Sequence, residues 1–338
     1  MAILVTGGTG YIGSHTVVEL LSAGEEVIII DNLSNSKQLV VDRIEQITGK
    51  RPEFIKCDLR NRGDIDLVLE SHPEIESVIH FAGLKAVGES CSKPLYYYHN
   101  NLLGTLNLLD SMITHGVNRI VFSSSATVYG IPKSVPISED FPTSTTNPYG
   151  ETKLMIERIL KDTCSAHPGF SACVLRYFNP IGAHESGIIG EDPRGIPNNL
   201  LPYITKVAVG KLPCLSVFGN DYDTHDGTGV RDYIHVVDLA LAHIKAIKYT
   251  EKLCGIDYIN VGTGNGYSVL DIVNAFSKAW GEAIKYKIVD RRPGDIAECY
   301  ANPDKAYRVL GWRAERDLAK MCEDSARWVR MNPDGYPD

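Results

Sequence analysis

The first 180 residues alternate between two textures. Short runs rich in valine and isoleucine, such as Ala2-Ile3-Leu4-Val5-Thr6 and Glu26-Val27-Ile28-Ile29-Ile30, are separated by longer stretches whose apolar residues recur every three or four positions. Near-continuous β-branched runs suit strands buried on both faces, and the longer spacing suits amphipathic helices. The pattern predicts strands at 2–6, 26–30, 53–57, 77–81, 119–123 and 172–176. It predicts helices at 13–23, closed by Gly24, and at 95–115, where Leu102, Leu106, Leu109 and Ile113 share a face and Gly116 ends the run. A further helix is predicted at 148–167, opened by Pro148. Strict alternation of strand and helix means a doubly wound α/β domain, with a parallel sheet covered on both faces. After Phe178 the alternation lapses. Residues 182–199 are rich in Gly, Pro and Asn and read as loop, and the remainder mixes short strands and helices. The expected organisation is a first domain at 1–178 and a smaller mixed α/β substrate domain at 179–338.

Composition narrows this picture. The chain has 338 residues, 43% hydrophobic and 22% charged, enough for two domains with cores of their own. The net charge of −8 argues against nucleic acid as a partner, though not against a small anion held by local arginines. No apolar run reaches the roughly 18 residues of a membrane span, and residues 1–8 do not read as a signal peptide. The eight cysteines form neither a CxxC pair nor a zinc-like cluster, so neither metal nor disulfide is expected. Reduced thiols make the cytoplasm the default compartment.

The first predicted strand runs into Gly7-Gly8-Thr9-Gly10-Tyr11-Ile12-Gly13 and then a helix. Glycines at 7, 10 and 13 permit a tight turn, close approach of a pyrophosphate, and close packing of helix on sheet. The helix start offers free N–H groups to the phosphates. A strand before and a helix after are the context in which this spacing indicates a Rossmann-type dinucleotide site. Asp31 ends the second strand, where a carboxylate accepts hydrogen bonds from ribose hydroxyls and repels a 2′-phosphate, favouring NAD over NADP. Asp58 is placed to meet the adenine, although a turn aspartate explains it nearly as well. The small residues of Phe81-Ala82-Gly83-Leu84-Lys85 follow the fourth strand and suit backbone contact with a cofactor.

Tyr149 and Lys153 are four apart and so share a helix face. A free phenol is a poor base at neutral pH. A lysine cation and the positive nicotinamide ring beside it stabilise the phenolate, which then takes a proton from a substrate hydroxyl. The fifth strand ends in Ser123-Ser124-Ser125, where a hydroxyl can reach the reacting oxygen.

The glycine spacing, Asp31 and the Tyr149–Lys153 pair together resemble the extended short-chain dehydrogenase/reductase family. By that match Ser125 is the site serine, with Ser123 and Ser124 structural. Longer blocks at 7–14, 31–37, 80–90, 123–130, 149–153, 176–183, 190–201, 227–239 and 335–338 are similar to its branch that epimerises UDP-galactose and UDP-glucose at the sugar's 4-position. The resemblance implies that Tyr149 removes the 4-hydroxyl proton while hydride passes to tightly bound NAD+. The 4-keto sugar then turns over in the site and hydride returns to its opposite face. It implies cofactor contacts from Asn32, Leu33, Ser34, Asn35, Ser36 and Leu59, with Asn100 and Phe178 bordering the nicotinamide. It implies UDP-sugar contacts from Asn179, Asn199, Leu200, Ser216, Phe218, Tyr233 and Asp295, with Arg231 and Arg292 on the diphosphate. Taken alone, each arginine also fits a surface salt bridge. A homodimer is implied through the helices at 95–115 and 148–167, although the same apolar stripes suit cover of the sheet.

Cys299 bears on substrate range. Relatives confined to plain hexoses carry a bulky tyrosine at the matching place, so the smaller side chain predicts turnover of UDP-GlcNAc and UDP-GalNAc too. A one-residue shift in register would put Tyr300 there and reverse the expectation, and a cysteine that merely fills core space is the alternative. A sugar-nucleotide 4,6-dehydratase on this fold would need Asp-Glu after the strand-end serine, where Ala126-Thr127 stand. A catalytically silent NAD-binding protein would have no call on Tyr149, Lys153 and Ser125.

Overall fold

The computed structural model describes residues 2–193, 199–292 and 294–337. The chain runs β1 (Ala2–Thr6), α1 (Tyr11–Ser22), β2 (Glu26–Asp31), α2 (Leu39–Thr48), β3 (Glu53–Lys56), α3 (Arg62–Ser71) and β4 (Ile75–His80). It continues through α4 (Val87–Ser92), α5 (Pro94–Tyr98), a π-helical turn (His99–Leu103), α6 (Gly104–Thr114), β5 (Arg119–Ser125), α7 (Pro148–Ala166) and β6 (Ser171–Tyr177). The second half holds β7 (Asn179–Ile181), α8 (Leu200–Ala208), β8 (Leu215–Phe218), β9 (Val230–His235), α9 (Val236–Thr250), β10 (Gly255–Val261) and β11 (Gly266–Ser268). It ends with α10 (Val269–Trp280), β12 (Tyr286–Val289), β13 (Glu298–Cys299), α11 (Asp304–Leu310) and α12 (Leu318–Met331). No helix among the described residues is long and apolar enough to cross a membrane.

Seven strands form one sheet in the order β10-β6-β5-β4-β1-β2-β3, and every pairing in it is parallel. Alternate residues of each strand feed two cores. Val5, Ile29, Val121 and Leu175 pack under α1 and α9, while Leu4, Ile28, Phe122 and Val174 pack under α3, α6 and α7. Burial on both sides explains the near-continuous apolar runs of the sequence.

Three differences from the sequence expectations bear on the site. β5 runs on through Ser123 and Ser124 to Ser125, because its whole length pairs with β6 from Arg119↔Ser171 to Ser125↔Tyr177. The helix expected at 95–115 is divided by the π-helical turn at His99–Leu103, whose extra residue re-aims the side chains around it. The sheet's seventh strand, β10, comes from beyond the division expected at 178, reached through α9, which packs beside α1.

The rest of the second half gathers around β9. It pairs with β7 over Tyr233–His235, with β11 over Val230–Asp232, and with β13 at Val230 and Arg231. β8 and β12 form a separate parallel pair. The third core includes Ile204 of α8, Phe276 of α10 and Met321 of α12.

Candidate active site

The loop from β1 to α1 is built for backbone contact. Gly7 has φ +71, and a Cβ there would lie 2.8 Å from the Ala82 nitrogen. A Cβ on residue 13 would lie 2.3 Å from the Gly7 carbonyl oxygen. Gly10, at the start of α1, provides no side-chain cap, so the first-turn amides are left to a ligand. A cradle without side chains, an uncapped helix start and a carboxylate at the end of β2 fit a dinucleotide.

Asp31 accepts from Leu33 N at 2.9 Å and from the Ser36 hydroxyl at 3.2 Å, and its other oxygen accepts from Thr9 N at 3.3 Å. This folds 32–36 into a tight turn over the glycine loop, with Leu33 at φ +59. Ser34 N donates to Asn32 Oδ1, and Asn35 is exposed. Asn32 also donates to Asp58 at 3.2 Å. The Arg60 guanidinium on Asp58 holds that carboxyl down at about 2. Leu59 is half-buried and accepts from Asn107 at its carbonyl.

The loop after β4 crosses the glycine turn. Ala82 N donates to the Thr6 hydroxyl at 3.2 Å, and the Phe81 ring lies tilted against His243 with centroids 4.6 Å apart. Lys85 pairs with Glu191 at 3.0 Å, and Glu191 also accepts from Asn199 at 3.4 Å. A residue expected on the cofactor side and one expected on the sugar-nucleotide side thus meet on one carboxylate.

Asn147 opens α7 by accepting from Gly150 N at 2.9 Å. The phenol of Tyr149 lies beside Ser125, whose Oγ accepts from Thr127 N at 3.2 Å. Lys153 is buried beneath it and donates to the Ser123 carbonyl at 2.7 Å. Its ammonium lies 5.9 Å from the Tyr149 ring centroid and 4.9 Å from that of Phe122. Burial raises the Tyr149 phenol and the Ser125 bond lowers it in part, for a net rise. Burial draws Lys153 down to about 8 while Glu157 pushes it up. The expected lowering of Tyr149 by its lysine is therefore not a property of the protein alone, because the ammonium is turned to a carbonyl.

Several of the residues expected on the sugar-nucleotide side gather at β9. Asn179 is the register partner of Tyr233, and Cys299 that of Arg231. Burial raises Tyr233 to about 12 against the pull of Arg231 and Arg292. Arg231 donates to the carbonyls of Val230 at 2.8 Å and Ile296 at 2.9 Å. Arg292 lies over the Phe218 ring, 4.7 Å from its centroid, and pairs with Asp295 at 2.9 Å. Ser216 and Phe218 are two apart on β8 and so share a face. Leu200 begins α8 and packs on the third core. Cys299 packs against the cluster that holds Val128, Tyr129 and Phe178, and burial pushes its thiol up to about 11. The Tyr300 ring instead lies on the Gly266 side, where a Cβ would meet it at 3.1 Å.

Asn101 belongs to this assembly although the motifs do not single it out. It is buried where the π-helical turn faces both loop and helix, accepting from Leu84 N at 2.8 Å and donating to Leu84 O at 3.1 Å and Thr152 Oγ1 at 3.0 Å. Asn100 donates to it at 3.1 Å. Two adjacent asparagines carry no signal of which one turns inward.

Compared with known proteins, the chain matches the family model described as GDP-mannose 4,6 dehydratase over residues 4–325. It is 61% identical over 336 residues to a UDP-glucose 4-epimerase of Bacillus subtilis, with 99% of each chain covered. It is 61% identical over 339 residues to one of Haemophilus influenzae, with 100% of each covered. A solved UDP-glucose 4-epimerase from Bifidobacterium longum, in complex with NAD+ and UDP, matches with a TM-score of 0.96 and 53% identity over 99% of this chain and 100% of that one.

Proposed function

The chain belongs to the UDP-glucose 4-epimerases of the extended short-chain dehydrogenase/reductase family, and we propose that Tyr149 carries the reacting proton while Arg231 and Arg292 hold the diphosphate. It is an NAD-dependent isomerase that interconverts UDP-glucose and UDP-galactose. Bound NAD supplies reversible hydride storage for the sugar's 4-carbon.

The observation that carries the proposal is the juxtaposition of Ser125 and Tyr149 at the opening of α7, with Lys153 one turn on. The Tyr149 oxygen takes the 4-hydroxyl proton, holds it while the 4-keto sugar turns over, and returns it to the other epimer. Ser125 orients the reacting oxygen. With its phenol raised by burial, Tyr149 stays protonated near neutral pH until positive charge is turned toward it, and Lys153 is the cation that α7 supplies. The glycine turn, Asp31 and the loops at 32–36 and 81–85 hold the cofactor, with Asn100 and Phe178 bordering the nicotinamide. Asn179, Asn199, Leu200, Ser216, Phe218, Tyr233 and Asp295 line the nucleotide. The uridine diphosphate is held firmly, and the sugar loosely enough to present either face.

A wider substrate range rests on Cys299. It faces the cluster containing Phe178 while Tyr300 points elsewhere, which supports the register that leaves room for a 2-acetamido group. A homodimer is supported by apolar side chains at the surface of the α5–α6 region: Leu95 is 76% exposed and Leu106 44%.

The deciding experiment incubates purified protein, without added NAD, with UDP-galactose. UDP-glucose should form with no net NADH, and Tyr149→Phe should abolish it. A second arm offers UDP-GlcNAc; no UDP-GalNAc above background, with UDP-galactose active, would sink the wider range.

A further inference from the structure

Tyr149, Lys153 and Glu157 stand at four-residue steps along α7 and share one face. Three consecutive serines at the end of β5 meet them. Ser125 lies beside the Tyr149 phenol, the Ser123 carbonyl accepts from Lys153 at 2.7 Å, and the Ser124 hydroxyl donates to Glu157 at 2.6 Å. The outer two contacts involve the residues of the proposed chemistry. The middle one leads away from it.

Glu157 is 2% exposed and Arg176, on β6, 4%. The guanidinium grips the carboxylate with two hydrogen bonds, Nε at 3.0 Å and Nη2 at 2.6 Å. Arg176 is also the register partner of Ser124 across the β5–β6 ladder. Its Nη1 donates to the Tyr129 hydroxyl at 3.0 Å, and that hydroxyl donates to Asn260 on β10 at 2.7 Å. Desolvating both charges offsets most of what such a pair contributes to stability, so its value is better sought in the geometry it fixes.

We propose that the buried Glu157–Arg176 pair is a positioning device that sets α7 against the end of β5, so that Tyr149 meets Ser125 and Lys153 meets the Ser123 carbonyl. The proposal rests on the reading of Tyr149 as proton carrier. The pair acts through Ser124, which lies between the two site-facing serines and cannot move without moving both.

The same carboxylate also acts through charge. The titratable groups facing Lys153 are Tyr149 and Glu157 on α7 and His80 on β4, with Arg176 of β6 behind Glu157. Burial holds His80 at about 3 and raises the Tyr149 phenol, so both are neutral near pH 7. Arg176 is occupied by Glu157. Glu157 therefore supports the Lys153 ammonium against burial, and its removal lets that proton leave at lower pH.

The test compares wild type, Glu157→Gln, Ser124→Ala and Tyr149→Phe for kcat, KM for UDP-galactose, bound NAD and the alkaline limb of the pH–rate profile. Glu157→Gln should keep bound NAD and hold KM within about twofold while kcat falls about tenfold, as expected for a misplaced reacting group. Its alkaline limb should move to lower pH. Ser124→Ala, which keeps the ion pair, should lower kcat by about threefold and leave the limb in place. Wild-type kcat and limb in Glu157→Gln would overturn the proposal. So would a kcat loss that only tracks lost NAD with the limb unmoved. If Glu157→Gln does not fold, wild-type kcat in Ser124→Ala overturns the proposal, and the threefold loss supports it. An active Tyr149→Phe would instead remove the reading beneath it.

Discussion

Asn101 donates to the Thr152 hydroxyl across 3.0 Å, joining the π-helical turn to the first turn of α7. Thr152 in turn donates to the Tyr149 carbonyl at 2.7 Å, and Asn101 clamps both backbone groups of Leu84. One side chain thus couples the loop expected to touch the cofactor to the helix that carries the proposed proton carrier.

Asn101→Ala leaves the half-buried Leu84 amide without its acceptor, at a cost of about 1 kcal/mol. The expected outcome is a lower melting temperature together with faster loss of NAD on dilution. Asn101→Asp keeps the acceptor and loses the donors, and should fall between the two. Melting and NAD retention equal to wild type in the alanine variant would refute the coupling.

Gly13→Ala places a methyl 2.3 Å from the Gly7 carbonyl, so either the loop or α1 must shift. The shift opens the cradle against which a pyrophosphate packs. Purified Gly13→Ala should carry less than about a tenth of the wild-type NAD, the size of effect expected when a close backbone approach is lost. NAD content after denaturing release is the measurement.

Cys299→Tyr adds a ring beside Phe178. UDP-GlcNAc turnover should drop at least about tenfold while UDP-galactose turnover stays within about threefold. Equal losses on both sugars would show that the position senses no acetamido group.

His15, His80 and His243 are buried, and burial lowers them to about 3, 3 and 4. Their folded values lie below the unfolded value of about 6.5. Between those limits the unfolded chain binds more protons, so stability rises with pH there and is complete above about 6.5. Each histidine contributes a slope of up to about 1.4 kcal/mol per pH unit in that window. Melting temperature should therefore fall steadily from pH 7 to pH 5. A flat profile would contradict this assignment.

Leu95 and Leu106 leave apolar surface on the α5–α6 region. Leu95→Glu with Leu106→Glu should convert a homodimer to monomer in sedimentation velocity, with bound NAD retained. An unchanged sedimentation coefficient would place the interface elsewhere.

Local chemistry made part of this molecule legible before its structure. Gly7, Gly10 and Gly13 are readable because turn, strand and helix are contiguous, and Tyr149 and Lys153 because they share one helix. Arg176 sits inside an apolar strand run and finds Glu157 only through the sheet, so spacing along the chain is silent about it. β10 reads Gly-Ile-Asp-Tyr-Ile-Asn-Val, a mixed pattern with no clear face. Its place beside β6 is decided by packing across a long separation in sequence. The choice between Cys299 and Tyr300 likewise needs the pairing of β13 with β9, because adjacent residues of a strand point to opposite sides.

That late-arriving strand has a consequence for how the protein is made. β10 begins 78 residues after β6 ends. At a synthesis rate of about 5–20 residues per second, β6 leaves the ribosome some 4–16 s before its outer neighbour exists. Through that interval a row of unpaired amides and carbonyls lies open along Ser171–Tyr177, able to pair with a strand of another nascent chain. The half that reads from sequence as a finished nucleotide domain is an unclosed one until the substrate half has been translated.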